Sequence, residues 1–198
     1  MLHRFGPHAA DLLTALRVVL TPVFVAAVLR ADGARVGGVL AVLCFAVIAA
    51  SDVYDGRLAR RWGSASDTGR VFDHLADIGF LLAALSAYAL LGIAPWWVPA
   101  AVGASFGYYA IDSRRRAPAG VPSLIGSRIG HLGGISNYVL VGILVCNNTA
   151  GAHLLSSATL ERLCWLVPLY SAAAVAGRLA TRLSAQREAR FAIRVTPV

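Results

Sequence analysis

The sequence predicts an all-α fold: an integral membrane bundle of six transmembrane helices with both termini in the cytoplasm. Three observations carry this expectation. First, 58% of the 198 residues are hydrophobic and only 14% are charged, with a mean hydropathy of +0.67. A soluble domain of this size carries about 25% charged residues, so the chain lacks the polar surface to cover a globule in water. Second, the apolar residues fall into six runs, at 12–29, 36–51, 71–93, 95–111, 132–146 and 163–180. Third, the basic residues are sorted by loop. This composition excludes a soluble domain, a disordered chain and, despite the net charge of +8, a nucleic-acid binder.

Each run has its own punctuation. The first follows an N-terminus with no short apolar core ahead of a small-residue cleavage site, so no removable signal peptide is expected. It stops at Ala31-Asp32-Gly33, and the second stops before Gly63-Ser64. Gly92 and Pro95 separate the third from the fourth, and Pro118, Gly120 and Pro122 follow the fourth. The fifth ends at Asn147-Asn148; it holds His131 and Asn137, which read as helix–helix hydrogen-bonding groups. The sixth leads into an Arg-rich tail, 181–198, that reads as a surface-lying amphipathic extension. Helix is the only backbone state that satisfies its own polar groups in lipid. The runs approach the length that spans hydrocarbon, the second and fifth being short. The whole chain, 1–198, reads as one domain.

All 18 cationic residues are arginine, and there is no lysine. If six helices alternate in direction, fourteen arginines fall on one side, and only Arg30, Arg35 and Arg162 fall on the other. Arg17 lies within the first run. The positive-inside rule then places both termini, and the loops after the second and fourth helices, in the cytoplasm. Trp62, Trp96, Trp97 and Trp165 sit near the span ends as interface anchors. Cys44, Cys146 and Cys164 have neither metal-type nor disulfide-framework spacing and read as small core residues.

The chain has ten carboxylates, and four gather in one stretch: Asp52, Asp55, Asp73 and Asp77. Asp52 and Asp55 are spaced i, i+3, and Asp73 and Asp77 i, i+4, so each pair shares a helix face. Ionised carboxylates near hydrocarbon cost about 2.5–3.5 kcal/mol each on the insertion scale. A hard divalent cation, Mg²⁺ or Mn²⁺, compensates them best, and two ions suit a phosphate substrate. Ion pairs with Arg57, Arg60, Arg61 and Arg70 are the plainer alternative. His74 follows Asp73 directly and reads as a neighbour, not a ligand.

The eight positions Asp52, Asp55, Gly56, Ala59, Arg60, Gly69, Asp73 and Asp77 fill the pattern D-x2-D-G-x2-A-R-x8-G-x3-D-x3-D. On that pattern the chain resembles the CDP-alcohol phosphotransferases. Thr14, Arg17 and Pro22 match the opening helix of bacterial members, with Asp11 where Asn is usual. The branch most similar is that of bacterial phosphatidylglycerophosphate synthases. The resemblance implies a phospholipid-biosynthetic transferase that moves a phosphatidyl group from CDP-diacylglycerol to an alcohol and releases CMP. It implies Asp52, Asp55, Asp73 and Asp77 as metal ligands, with Asp77 also the catalytic base. It implies Gly56, Ala59, Arg60, Ser66 and Gly69 at the CDP donor. It further implies an inner-membrane protein with a cytoplasmic site, surrounded by membrane lipids, and allows a homodimer.

For the acceptor, glycerol 3-phosphate is expected, with an inositol phosphate, serine or phosphatidylglycerol as alternatives. Arg128, Arg114 and Arg17 are the candidate contacts, since guanidinium forks suit phosphate. Arg114–Arg116 also read as a topology anchor, and Arg17 equally as an acid's partner. Three positions depart from that branch: Ile78 and His74 stand where Lys and Pro are usual, and residues 125–130 read I-G-S-R-I-G instead of I-G-K-x-K-T. From another functional class, a small cation-binding membrane transporter remains a rival.

Overall fold

Seven helices and no strand make up the described part of the computed structural model, which covers residues 6–31, 35–62, 67–116, 128–149 and 151–195. They are α1 (Gly6–Arg30), α2 (Arg35–Trp62), α3 (Asp67–Leu90), α4 (Trp97–Arg116), α5 (Arg128–Leu144), α6 (Ser157–Cys164) and α7 (Leu166–Val195). Among the described residues, four stretches are long and apolar enough to cross a membrane: Leu12–Arg30, Val36–Tyr54, Val71–Leu90 and Ser157–Thr181. The other two expected spans fall short for visible reasons. Helix α4 is diluted by Tyr108, Tyr109, Asp112 and its terminal arginines. Helix α5 has 17 residues before the backbone widens into a π-helical turn at Val145–Thr149.

The helices outrun the apolar runs that announced them. The second run ends at 51, yet α2 continues to Trp62, because Leu58, Ala59, Arg60 and Arg61 are strong helix formers that need no apolar neighbour. The Asp pairs therefore sit inside helices rather than at their ends. The Arg-rich tail, through Val195, continues α7.

Helix α1 packs on α2 and α3, α3 on α4 and α5, and α7 on α4 and α5. At the centre, Phe24 and Phe80 are fully buried and Tyr138 packs against them half-buried. Phe24 meets Phe80 edge-on at 5.3 Å between ring centroids, and Tyr138 stacks on Phe80 at 5.7 Å. Away from this core, α2 presents Val36, Val39, Leu43 and Val47 outward. In water such a stripe would be a liability, whereas lipid accepts it.

Polar side chains close the end opposite the Asp pairs. Gly92, with φ of +69°, ends α3, and the bonds from Ile93 N to Tyr88 O and from Gly92 N to Ala89 O form a Schellman cap. Asn147 uses both amide atoms on the backbone of Leu155, accepting from its N–H at 2.7 Å and donating to its carbonyl at 3.2 Å. Trp97 packs on Trp165 at 4.7 Å, tying the start of α4 to the α6–α7 junction. Cys44 and Cys164 are buried, but Cys146 is exposed, because the π-helical turn carries it outward.

Buried Gly38 permits the approach of α2 to that turn. A Cβ there would lie 2.4 Å from the Thr149 carbonyl oxygen, closer than any side chain tolerates. Gly38→Ala is expected to destabilise the protein by about 1–3 kcal/mol, as overpacking does. Gly134→Ala, where nothing lies within 4 Å, should leave the melting temperature unchanged or raise it. Thermal unfolding of the two variants in detergent checks the contrast, and equal melting temperatures would refute it.

Candidate active site

Three helices bring Arg17 and the acids together at matching depth. Arg17 lies eleven residues into α1, Asp77 ten residues into α3, and Asp52 ten residues before the end of α2. At 1.5 Å per residue, each is about 15 Å from its helix end. Asp52, Asp73 and Asp77 each place a carboxylate oxygen within 4.8 Å of the other two.

Arg17 is the cation of this cluster. Its side chain is 0% exposed, whereas those of Asp52, Asp73 and Asp77 are 37%, 31% and 22% exposed. The guanidinium is sealed in the bundle while the acids remain reachable from outside. Its Nη1 donates to Asp73 Oδ1 at 2.9 Å and pairs with Asp77 Oδ1, and its Nη2 lies 3.9 Å from Asp52 Oδ1. A planar fork with five donors suits such a task, which one ammonium point charge would not perform. Thr14 approaches Asp73 Oδ1 at 3.5 Å. On the far side, the Tyr138 hydroxyl of α5 donates to Asp77 Oδ1 at 3.0 Å.

The remaining expected site residues fall in several places. Asp55, Gly56, Ala59 and Arg60 lie on α2 after Asp52, and Arg128 opens α5; the side chains of these residues lie outside those described. Ser66 lies outside the described residues altogether. Gly69 is half-buried in the first turn of α3, and Arg114 is exposed in the last turn of α4. His74 is exposed and turned toward Tyr109, at 6.2 Å between rings. Asn137 accepts a hydrogen bond from the Tyr170 hydroxyl and so links α5 to α7.

Two features had no signal of their own in the sequence. Tyr138 stands beside Asn137 in an apolar run marked by His131 and Asn137, and nothing in the pattern distinguishes the tyrosine. Arg178, counted above among the orienting arginines, is buried. It pairs with Asp112 at 2.9 Å and lies 4.5 Å over the Tyr109 ring, joining α7 to α4.

The donor set is all oxygen and anionic, which fits a hard divalent cation and offers no soft ligand for zinc or copper. Asp52, Asp73 and Asp77 are the described residues that would hold it.

Comparison with known proteins bears on this arrangement. The chain is 39% identical over 90 residues to a probable phosphatidylglycerophosphate synthase of Mycobacterium tuberculosis, covering 45% of this chain and 43% of that protein. It is 34% identical over 89 residues to a cardiolipin synthase (CMP-forming) of Streptomyces coelicolor, covering 44% of this chain and 41% of that protein. The matched stretch thus spans less than half the length of these relatives. The family model described as CDP-alcohol phosphatidyltransferase matches residues 7–159, which include α1 from its second residue, α2 to α5 and every carboxylate of the cluster. The chain belongs to the CDP-alcohol phosphatidyltransferase family.

Proposed function

We propose that the protein transfers a phosphatidyl group from CDP-diacylglycerol to glycerol 3-phosphate, releasing CMP. The carrying observation is the cluster of Asp52, Asp73 and Asp77 around a buried Arg17, within the span of the family match. In this reading the chain is a single domain of six membrane-crossing helices, with both termini and the site on the cytoplasmic face of the inner membrane. The four apolar stretches and the sorted arginines support it.

The reaction exchanges one P–O bond for another. The acceptor hydroxyl oxygen attacks the phosphorus that bears the diacylglycerol, the bond from that phosphorus to CMP breaks, and CMP leaves with the electron pair. Asp77 takes the hydroxyl proton, as general-base catalysis requires. Two Mg²⁺ or Mn²⁺ ions held by Asp52, Asp55, Asp73 and Asp77 would supply charge neutralisation at the phosphate oxygens. Arg17 holds the carboxylates in register. Gly56, Ala59, Arg60, Ser66 and Gly69 receive the CDP moiety, glycine allowing the nucleotide to lie against the helix. Arg128 and Arg114 are assigned to the acceptor phosphate.

The relative named as a phosphatidylglycerophosphate synthase favours a glycerophosphate acceptor. The one named as a cardiolipin synthase makes phosphatidylglycerol the competing acceptor. A transporter would need broken helices at its ion site, whereas α1, α2 and α3 run unbroken past the carboxylates.

Purified protein with CDP-diacylglycerol and Mg²⁺, offered glycerol 3-phosphate, serine, inositol 1-phosphate or phosphatidylglycerol in turn, tests the proposal. CMP release is expected with glycerol 3-phosphate and should stop on chelation of the metal. Release with phosphatidylglycerol alone would overturn the acceptor. No release with any acceptor, from protein with a cooperative melt, would overturn transfer itself.

A further inference from the structure

We infer that Tyr138 is a positioning residue for Asp77, holding its carboxylate in the orientation that receives the acceptor proton; this rests on the reading of Asp77 as the base. Aspartate χ2 is an sp³–sp² torsion with a broad, two-fold profile, so a rotamer preference does not fix the carboxylate plane. Contacts must do so. Arg17 contributes one, but it also serves Asp73 and lies near Asp52, so its position is a compromise among three acids. Tyr138 has no such division. A hydroxyl has one proton to donate, and here it goes to Asp77 Oδ1 at 3.0 Å.

The hydroxyl is itself held from below. The Tyr138 ring stacks on Phe80, which is fully buried and lies one turn after Asp77 on α3. The i, i+3 spacing puts Asp77 and Phe80 on one helix face. A single residue of α5 thereby reads both, with its ring on Phe80 and its oxygen on Asp77. Phe80 in turn contacts Phe24 of α1 at 5.3 Å and Phe45 of α2 at 6.4 Å. The position of the hydroxyl is thus inherited from packing shared by α1, α2, α3 and α5, rather than from a loop. The two donors also reach Oδ1 from different helices, Arg17 from α1 and Tyr138 from α5, so rotation about χ2 would break both bonds.

The test compares wild type, Tyr138→Phe, Tyr138→4-aminophenylalanine and Asp77→Asn in CMP release, with Mn²⁺ affinity and melting temperature measured alongside. Tyr138→Phe removes one oxygen and leaves the ring on Phe80. Its kcat should fall about ten- to a hundredfold, the scale on which small misplacements of a reacting group act. KM for donor and acceptor, Mn²⁺ affinity and melting temperature should stay near wild type. The 4-aminophenylalanine variant restores an N–H donor at the same ring position and should recover most of the rate. Wild-type kcat in Tyr138→Phe would overturn the inference. So would a loss that appears only in KM, or one that saturating Mn²⁺ abolishes, because each places the effect on binding rather than positioning. If Tyr138→Phe does not fold, the 4-aminophenylalanine variant decides the matter: wild-type turnover supports a donor role, and inactivity in a folded protein refutes it. An Asp77→Asn enzyme as active as wild type would instead remove the base assignment beneath the inference, whatever Tyr138→Phe does.

Discussion

Asp77→Asn should abolish CMP release while leaving the bundle intact. The amide has nearly the shape of the carboxylate, and its oxygen still accepts from Tyr138 and from Arg17, the two donors now on Oδ1. Arg17 also keeps its bond to Asp73 at 2.9 Å, so α1 and α3 remain joined. What disappears is a basic oxygen and one negative charge. General-base assistance alone is worth about 10²–10⁴ in rate, and a metal ligand is lost at the same position, so turnover should fall to background. The check is CMP release measured beside thermal unfolding. A variant that melts like wild type and still turns over at the wild-type rate would take Asp77 out of the mechanism.

Arg17→Met is expected to act on stability as strongly as Asp77→Asn acts on rate. Methionine approximates the volume of the arginine stem and carries no charge, so packing is roughly kept while Asp52, Asp73 and Asp77 lose their shared cation. Removing one partner of a fully buried pair costs about 3–5 kcal/mol, and because the three acids are 22–37% exposed the loss here should lie near the lower end of that range. For a chain of this size that lowers the melting temperature by on the order of 10 °C. Saturating Mn²⁺ should recover more of the melting temperature in Arg17→Met than it adds to wild type, since a divalent ion supplies the missing charge. Arg17→Lys should fall between the two, one ammonium group being unable to serve three acids at once. Equal melting temperatures for wild type and Arg17→Met without metal would show that the repulsion among the acids is offset by something other than this arginine.

The legible part of the site was the part governed by helical period. The i, i+3 and i, i+4 spacings of the aspartates follow from 3.6 residues per turn, and their scarcity in an apolar chain made them conspicuous. Contacts between residues some 60 positions apart follow no such rule. The Arg17–Asp73 and Tyr138–Asp77 bonds depend on which helix faces which, so in sequence Arg17 reads equally as an acid's partner or an acceptor contact, and nothing marks Tyr138. Apolar runs and helices end at different residues where hydropathy and helicity part company. The end of the apolar run at 51 marks where the chain stops being greasy, not where α2 stops being helical at Trp62. Arg178 was obscured by kind: among fourteen similarly placed arginines, nothing local separates one that pairs with Asp112 from one that faces solvent. The six-run pattern anticipated the main helices, but an eight-residue helix with a Ser156 cap, α6, is too short to announce itself by period.

The separation between Arg17 and its partners also sets a clock for assembly. Asp73 follows Arg17 by 56 positions, and Asp77 by 60. At about 5–20 residues per second during synthesis, α1 waits roughly 3–12 seconds before α3 emerges. On the proposed membrane path, an arginine near mid-helix is tolerated meanwhile at about 2.5–3.5 kcal/mol, offset by the apolar residues around it. The first helix is therefore provisional until the third arrives. Ribosome-bound chains truncated before Asp73 should leave α1 easier to extract from the bilayer than chains that extend past α3, which makes the site's own ion pair a checkpoint in the order of insertion.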